Sequence, residues 1–159
     1  MKTVPQTKPS TLVLHAWLEE INTRLGKLTQ KQFELRGESS EGGALSGYYS
    51  TEPDNKENAK KIVAVLFAEM GRSTREFYLR EGSLFCVLNK QDFYDKPMYV
   101  HDSKIVRTKI TQYYFQAGEL LEAMHDADKG MQIPREEVLQ EARDFQLALK
   151  RYQGLLNRK

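Results

Sequence analysis

The chain has 159 residues, 40% of them hydrophobic and 29% charged, with 24 basic and 22 acidic side chains for a net charge of +2. That size and mixture predict one domain over residues 1–159, flexible over 1–9, with a proper core, and exclude a disordered chain. The near balance of charge gives no electrostatic reason to expect nucleic acid or an anionic membrane as a partner.

Cys86 is the only cysteine. It permits no intrachain disulfide and no thiolate metal cluster, and in Leu84-Phe85-Cys86-Val87-Leu88 it reads as a small buried hydrophobe. No apolar run approaches the roughly 18 residues of a membrane span. Met1–Ser10 holds Lys2 and Lys8 but no apolar stretch, so no signal peptide is read from it. A cytoplasmic protein and a mature exported one both fit.

In chain order, Leu12, Leu14, Trp17, Leu18, Ile21, Leu25 and Leu28 recur largely at three- and four-residue steps, which predicts a helix near 11–28. Ser10 or Thr11 suits its N-cap. Lys31–Arg36 admits either a short strand or a continuation of the helix, and Glu38–Gly43 is a loop. Strands follow over Ala44–Ser50, Ala59–Glu69, Ser73–Arg80 and Ser83–Asn89. After a loop at Lys90–Asp102 come Lys104–Phe115 and Glu119–Met124. The turns Gly71-Arg72, Glu81-Gly82 and Ala117-Gly118 make antiparallel hairpins of them. Pro134 sits in the first turn of a last helix over 134–156. Its stripe of Val138, Ala142, Phe145, Leu149, Tyr152 and Leu156 has heptad spacing and is expected to dock on one face of the sheet. The fold class is α+β: five to seven antiparallel strands in a meander, flanked by an N-terminal and a C-terminal helix.

Two hairpins repeat one pattern. Glu76–Phe85 aligns with Gln112–Leu121 as polar, aromatic, Tyr, apolar, two free positions, Gly, one free position, Leu, apolar. A weaker third copy begins at Gly47-Tyr48-Tyr49, with an enlarged loop before Lys61-Ile62-Val63. Repeats of this kind record how a sheet is built and carry no activity by themselves.

Catalytic patterns do not emerge. The dipeptides His101-Asp102 and His125-Asp126 invite a metal reading, but His15 is the only other histidine, and neighbours on a strand point to opposite faces. No metal site is expected. Asp54–Asn58 resembles a calcium loop until Lys56 falls where an oxygen ligand is needed. There is no phosphate-binding Gly loop and no nucleophile elbow. The expectation is a protein that is not an enzyme and uses no cofactor.

The aromatic content of the meander is the remaining lead. Tyrosines next to Arg75, Arg80, Arg107 and Lys109 are expected to decorate an open sheet face suited to a peptide, glycan or protein partner. The candidate binding residues are Tyr78, Arg80, Tyr94, Arg107 and Tyr114, with the Phe93–Pro97 loop beside them. The plain alternative is that these long side chains only cover the sheet, or that the helices pack over them.

The order Gly42-Gly43, Tyr48-Tyr49, Lys60-Lys61-Ile62, Glu76-Phe77-Tyr78, Gly82-Ser83-Leu84-Phe85, Tyr94-Asp95-Lys96-Pro97, Tyr113-Tyr114-Phe115 and Gly118-Glu119-Leu120 resembles an uncharacterised bacterial cell-envelope family, exported or lipoprotein-type. The likeness covers roughly residues 40–130. This chain departs from that pattern at Ala123-Met124, where an aromatic is expected, and at Thr111, a place often held by Arg. The hairpins are also similar, more weakly, to those of antitoxin-type and MORN-like sheet proteins. The family likeness implies a periplasmic or envelope location and a non-catalytic binding role; the other implies an intracellular interaction partner of the immunity or antitoxin kind.

Overall fold

The computed structural model describes residues 11–37, 39–50, 59–125 and 134–157. A helix α1 (Thr11–Thr23) opens the chain and is followed by a single 3₁₀ turn at Leu25–Lys27. Seven strands come next among the described residues: β1 (Thr29–Leu35), β2 (Gly43–Tyr49), β3 (Ala59–Ala68), β4 (Gly71–Arg80), β5 (Ser83–Tyr94), β6 (Ile105–Gln116) and β7 (Glu119–His125). A long helix α2 (Arg135–Leu156) closes the described residues. The strands form one antiparallel sheet in sequence order, β1 to β7. Such a meander needs no crossover, so every pairing is between neighbours in the chain. No helix among the described residues is long and apolar enough to cross a membrane.

Several boundaries differ from the sequence reading. The apolar steps past Ile21 run into the 3₁₀ turn, so α1 ends at Thr23 and β1 takes Lys31–Leu35 as strand. Leu12 does not share the buried stripe of α1; it is 79% exposed, and Leu14 and Leu18 carry the contact instead. Lys90–Tyr94 is not loop but the second half of β5, paired with β6 from Lys90↔Ile110 to Tyr94↔Ile105. Pro134 flanks α2 as its N-cap, with its carbonyl accepting from the Glu137 and Val138 amides. Ser10 and the Asp54–Asn58 segment lie outside the described residues.

The repeat is a repeat of register. In the β4–β5 hairpin Tyr78 faces Cys86 but Leu79 faces Leu84, which leaves Phe85 as the extra residue of a bulge. In β6–β7 Tyr114 faces Glu122 and Phe115 faces Leu120, with Leu121 extra. The third copy obeys the same rule, since Tyr48 faces Lys61 and Tyr49 faces Ala59, with Lys60 extra. The β3–β4 turn falls at Glu69-Met70 and not at Gly71-Arg72, which pair with Ala68 and Phe67 inside the sheet. The two turns of the repeat have positive φ at each central position, 51° and 81° at Glu81-Gly82 and 50° and 83° at Ala117-Gly118. That is the type I′ geometry whose twist matches the strands, and it explains the shared glycine.

The helices lie on opposite faces of the sheet. The stripe of α2, with Ala142, Phe145, Leu149, Tyr152 and Leu156 buried and Val138 partly so, packs on Leu45, Ile62, Phe77, Val87, Tyr113 and Phe115. Phe145 meets Tyr113 and Phe77 with ring centroids 5.5 and 6.4 Å apart. Gly47 makes room for the end of this helix, because a Cβ there would stand 2.9 Å from a Leu156 methyl. On the other face Leu14 and Leu18 of α1 bury Tyr78, Phe85, Cys86 and Tyr114. Burial of a large apolar side chain contributes about 1.5–3 kcal/mol, so both helices are held chiefly by these stripes. A polar cluster adds a clamp to α1: Lys61 reaches Glu76 and Asn22 at 2.8 Å each, and the Tyr78 hydroxyl donates to Glu76 at 2.8 Å.

Candidate functional site

The five residues singled out from sequence do not form one site. Tyr78 and Tyr114 are 1% and 3% exposed, because α1 lies directly on them. They are core: for both, the alternative that the helices pack over the sheet holds and the open tyrosine face does not. Burial above all, with the neighbouring Glu76 carboxylate, raises the Tyr78 hydroxyl far above the usual phenol range, so it stays a neutral donor. Arg80 stacks on Trp17, its guanidinium 4.1 Å from the ring centroid, at the rim of a cleft of about 280 Å³ beside α1. Tyr94 and Arg107 lie at the far end of the sheet, where Arg107 stacks over Phe93 at 5.5 Å. That end is tied together by the β5–β6 loop. Its Met98 amide donates to the Glu69 carbonyl at 2.7 Å, and the Tyr99 hydroxyl to the Glu69 carboxylate at 2.6 Å. Met70, Phe93, Met98, Tyr99, Ile105 and Val106 are exposed there.

His15 and His101 stand on different elements. His15 is on the exposed side of α1, 3.5 Å from Glu19, and His101 is in the β5–β6 loop. Among the described residues no three His, Cys, Asp or Glu side chains group as metal ligands.

A different set emerges from register. Alternate residues of a strand share a face, and the pairings align them across the sheet. On the α2 face, the row Ile62, Phe77, Val87, Tyr113 is apolar and covered by the helix. The next row on that face is Ala64, Arg75, Asn89, Thr111, and the one after it is Leu66, Ser73, Gln91, Lys109. On β4, β5 and β6 the face therefore switches from apolar to polar halfway along the strands. Asn89 and Thr111 are buried, while Ser73, Gln91 and Lys109 are half-buried. Beyond them Phe93 and Arg107 pair and form the outer rim.

Arg75 is the centre of this set. Its guanidinium lies 5.7 Å from the Phe145 ring centroid, and its Nη1 donates to the Tyr152 hydroxyl at 3.3 Å. Its Nε is buried and has no hydrogen-bond partner. Buried donors in folded proteins are nearly always paired, and an unmade bond costs about 1–3 kcal/mol. None of the strand positions in these two polar rows is a carboxylate. Glu141 of α2 is engaged by the Tyr113 hydroxyl. The contrast with the opposite face is sharp. There Arg72 bonds Asp92 through Nε and Nη2 at 3.3 and 3.0 Å, and Thr108 donates to the same carboxylate at 2.8 Å. Arg72 has its acid, and Arg75 of the same strand has an aromatic ring and a phenol.

Sequence reading noted Arg75 and Lys109 only as neighbours of tyrosines. What it missed was the shared face, because that depends on three strand pairings at once. The signal was present as polar residues at every second position of β4, β5 and β6 just where an apolar face should continue.

The sequence matches no protein-family model and no curated protein, and no solved structure matches the fold.

Proposed function

We propose that this chain is a non-catalytic binding module of the bacterial cell envelope, and that it takes its ligand on the β4–β6 face beside α2. The observation that carries the reading is the Arg75 guanidinium with its unpartnered Nε, set among Ser73, Asn89, Gln91 and Thr111. Such a face offers hydrogen-bond donors and a cation held by packing, which suits holding a ligand. It pairs no nucleophile with a base. The Phe93 and Arg107 rim extends the face towards the exposed apolar side chains at the end of the sheet, the mixture of apolar and arginine contacts typical of interface centres. The envelope location rests on the likeness of the repeated hairpins to those of the envelope family.

The test is site-specific photo-crosslinking in a bacterial host producing the full-length gene product. A photoreactive phenylalanine replaces Gln91, or replaces Thr74 on the opposite face as control. The reading expects the product in the envelope fraction and a discrete adduct from position 91 alone. Recovery in the cytosol favours the immunity-type reading, and an adduct from position 74 alone shows that the wrong face was chosen.

A further inference from the structure

We infer that the ligand presents a carboxylate or phosphate oxyanion to Arg75. This rests on the binding face proposed above and names the chemistry it recognises. A guanidinium has five N–H donors in a planar fork, and two edges of that fork match the paired oxygens of an oxyanion. Tyr152 takes Nη1, and the Phe145 ring lies against the guanidinium. Nε is left without a partner, and it belongs to the Nε–Nη2 edge, the same edge that Arg72 uses to hold Asp92 on the other face of the same strand. The chain therefore contains its own example of the complex, on the opposite face of the same strand and three residues away in sequence.

The surroundings select an anion. Arg75 and Arg107 put two cations on one face of β4 and β6, with no carboxylate on the facing positions of β5, which are Asn89 and Phe93. The Ser73 hydroxyl donates to Asn89 Oδ1 at 3.5 Å, which leaves the amide groups of Asn89 and Gln91 and the Thr111 hydroxyl to donate to the oxygens that the fork leaves over. The aromatic ring and the phenol orient the guanidinium without neutralising it, so its charge is available in a half-buried place where water screens it less. A neutral ligand would leave that charge uncompensated.

The test is a titration of the whole chain followed by amide NMR, with inorganic phosphate and succinate as probes and sodium chloride at matched ionic strength as control. Saturable shifts at Ser73, Asn89, Gln91 and Thr111 with either probe, absent with chloride, are expected. Whichever probe binds more tightly identifies phosphate or carboxylate as the source. Arg75→Lys keeps the charge and removes the fork, and is expected to weaken binding at least tenfold. Should that variant fold poorly, Gln91→Ala at the half-buried edge gives a second reading, with an expected loss of several-fold. Shifts that do not saturate, that chloride reproduces, or that both variants leave unchanged overturn the inference. A position-91 crosslink that persists while these titrations fail leaves the binding face standing and removes only the oxyanion.

Discussion

Replacing Phe145 with Ala removes the ring that joins α2 to the sheet. Phe145 is 6% exposed, its ring lies 5.5 Å from Tyr113 and 6.4 Å from Phe77, and the Arg75 guanidinium rests against it. Phe→Ala at such a site costs about 3–5 kcal/mol, from lost transfer energy and the cavity left behind. The two aromatic contacts, worth about 0.5–1.5 kcal/mol each, place this site in the upper part of that range. A domain of this size has roughly 5–15 kcal/mol in total, so the variant should fold with a small reserve. With a urea slope of about 2 kcal/mol/M, the midpoint should fall by about 2 M. Urea melts at two protein concentrations supply the assay. A midpoint that does not move, or one that rises with protein concentration, refutes docking of α2 within the chain.

Three further outcomes follow from named groups. Burial alone would raise the Asp92 carboxyl, but hydrogen bonds from Thr108 and Arg72 outweigh it and hold it below the usual carboxylate range. Its folded value is thus below its unfolded value of about 3.9, so the stability it contributes is present above that pH and lost as pH falls through the folded value. The stability gap between the wild type and Asp92→Asn should narrow as the pH of the urea melts is lowered below about 4; a constant gap contradicts the shift. Burial pushes the Cys86 thiol up to about 12, with the Gln112 amide working against it and Glu76 with it. A disulfide reagent at mildly alkaline pH should therefore label it only after unfolding, and fast labelling of the folded protein argues against α1 covering it. Ala117→Asn should stabilise by about 1 kcal/mol, because the 50° φ of Ala117 is strained for alanine and Asn-Gly suits a type I′ turn; thermal melts would show a loss if the turn were of another type.

The hairpins were legible because their evidence is local. Glycine at the second turn position and alternation on either side place Tyr78–Cys86 and Tyr114–Glu122 almost to the residue. The second half of β5 was not, since Lys90, Gln91 and Asp92 read as a polar loop. Asp92 is in fact 2% exposed, and its charge is tolerated only because Arg72 and Thr108 reach it from the neighbouring strands. A buried, satisfied carboxylate has no signature in its own segment. The same holds for the placement of the helices. Both stripes were visible, but only tertiary packing sets α1 and α2 on opposite faces, and that turns Tyr78 and Tyr114 from candidate ligand contacts into core. Arg75 was hidden in the reverse sense. Beside Glu76 in sequence it looks paired, yet the pleat sends Glu76 to Lys61 on one face and Arg75 to Phe145 on the other.

Binding on this face rests on one donor, the Arg75 Nε, and the proton resonance of that group is its sharpest probe. In ¹⁵N-labelled protein, with Arg75→Lys used to assign the signal, the Nε–Hε resonance should lie where an unbonded group does in the free protein. It should then move downfield and saturate as phosphate or succinate is added, while the Arg72 resonance, already bonded to Asp92, stays where it is. An Arg75 signal that is already at the bonded position in free protein, or that neither anion moves, contradicts the claim.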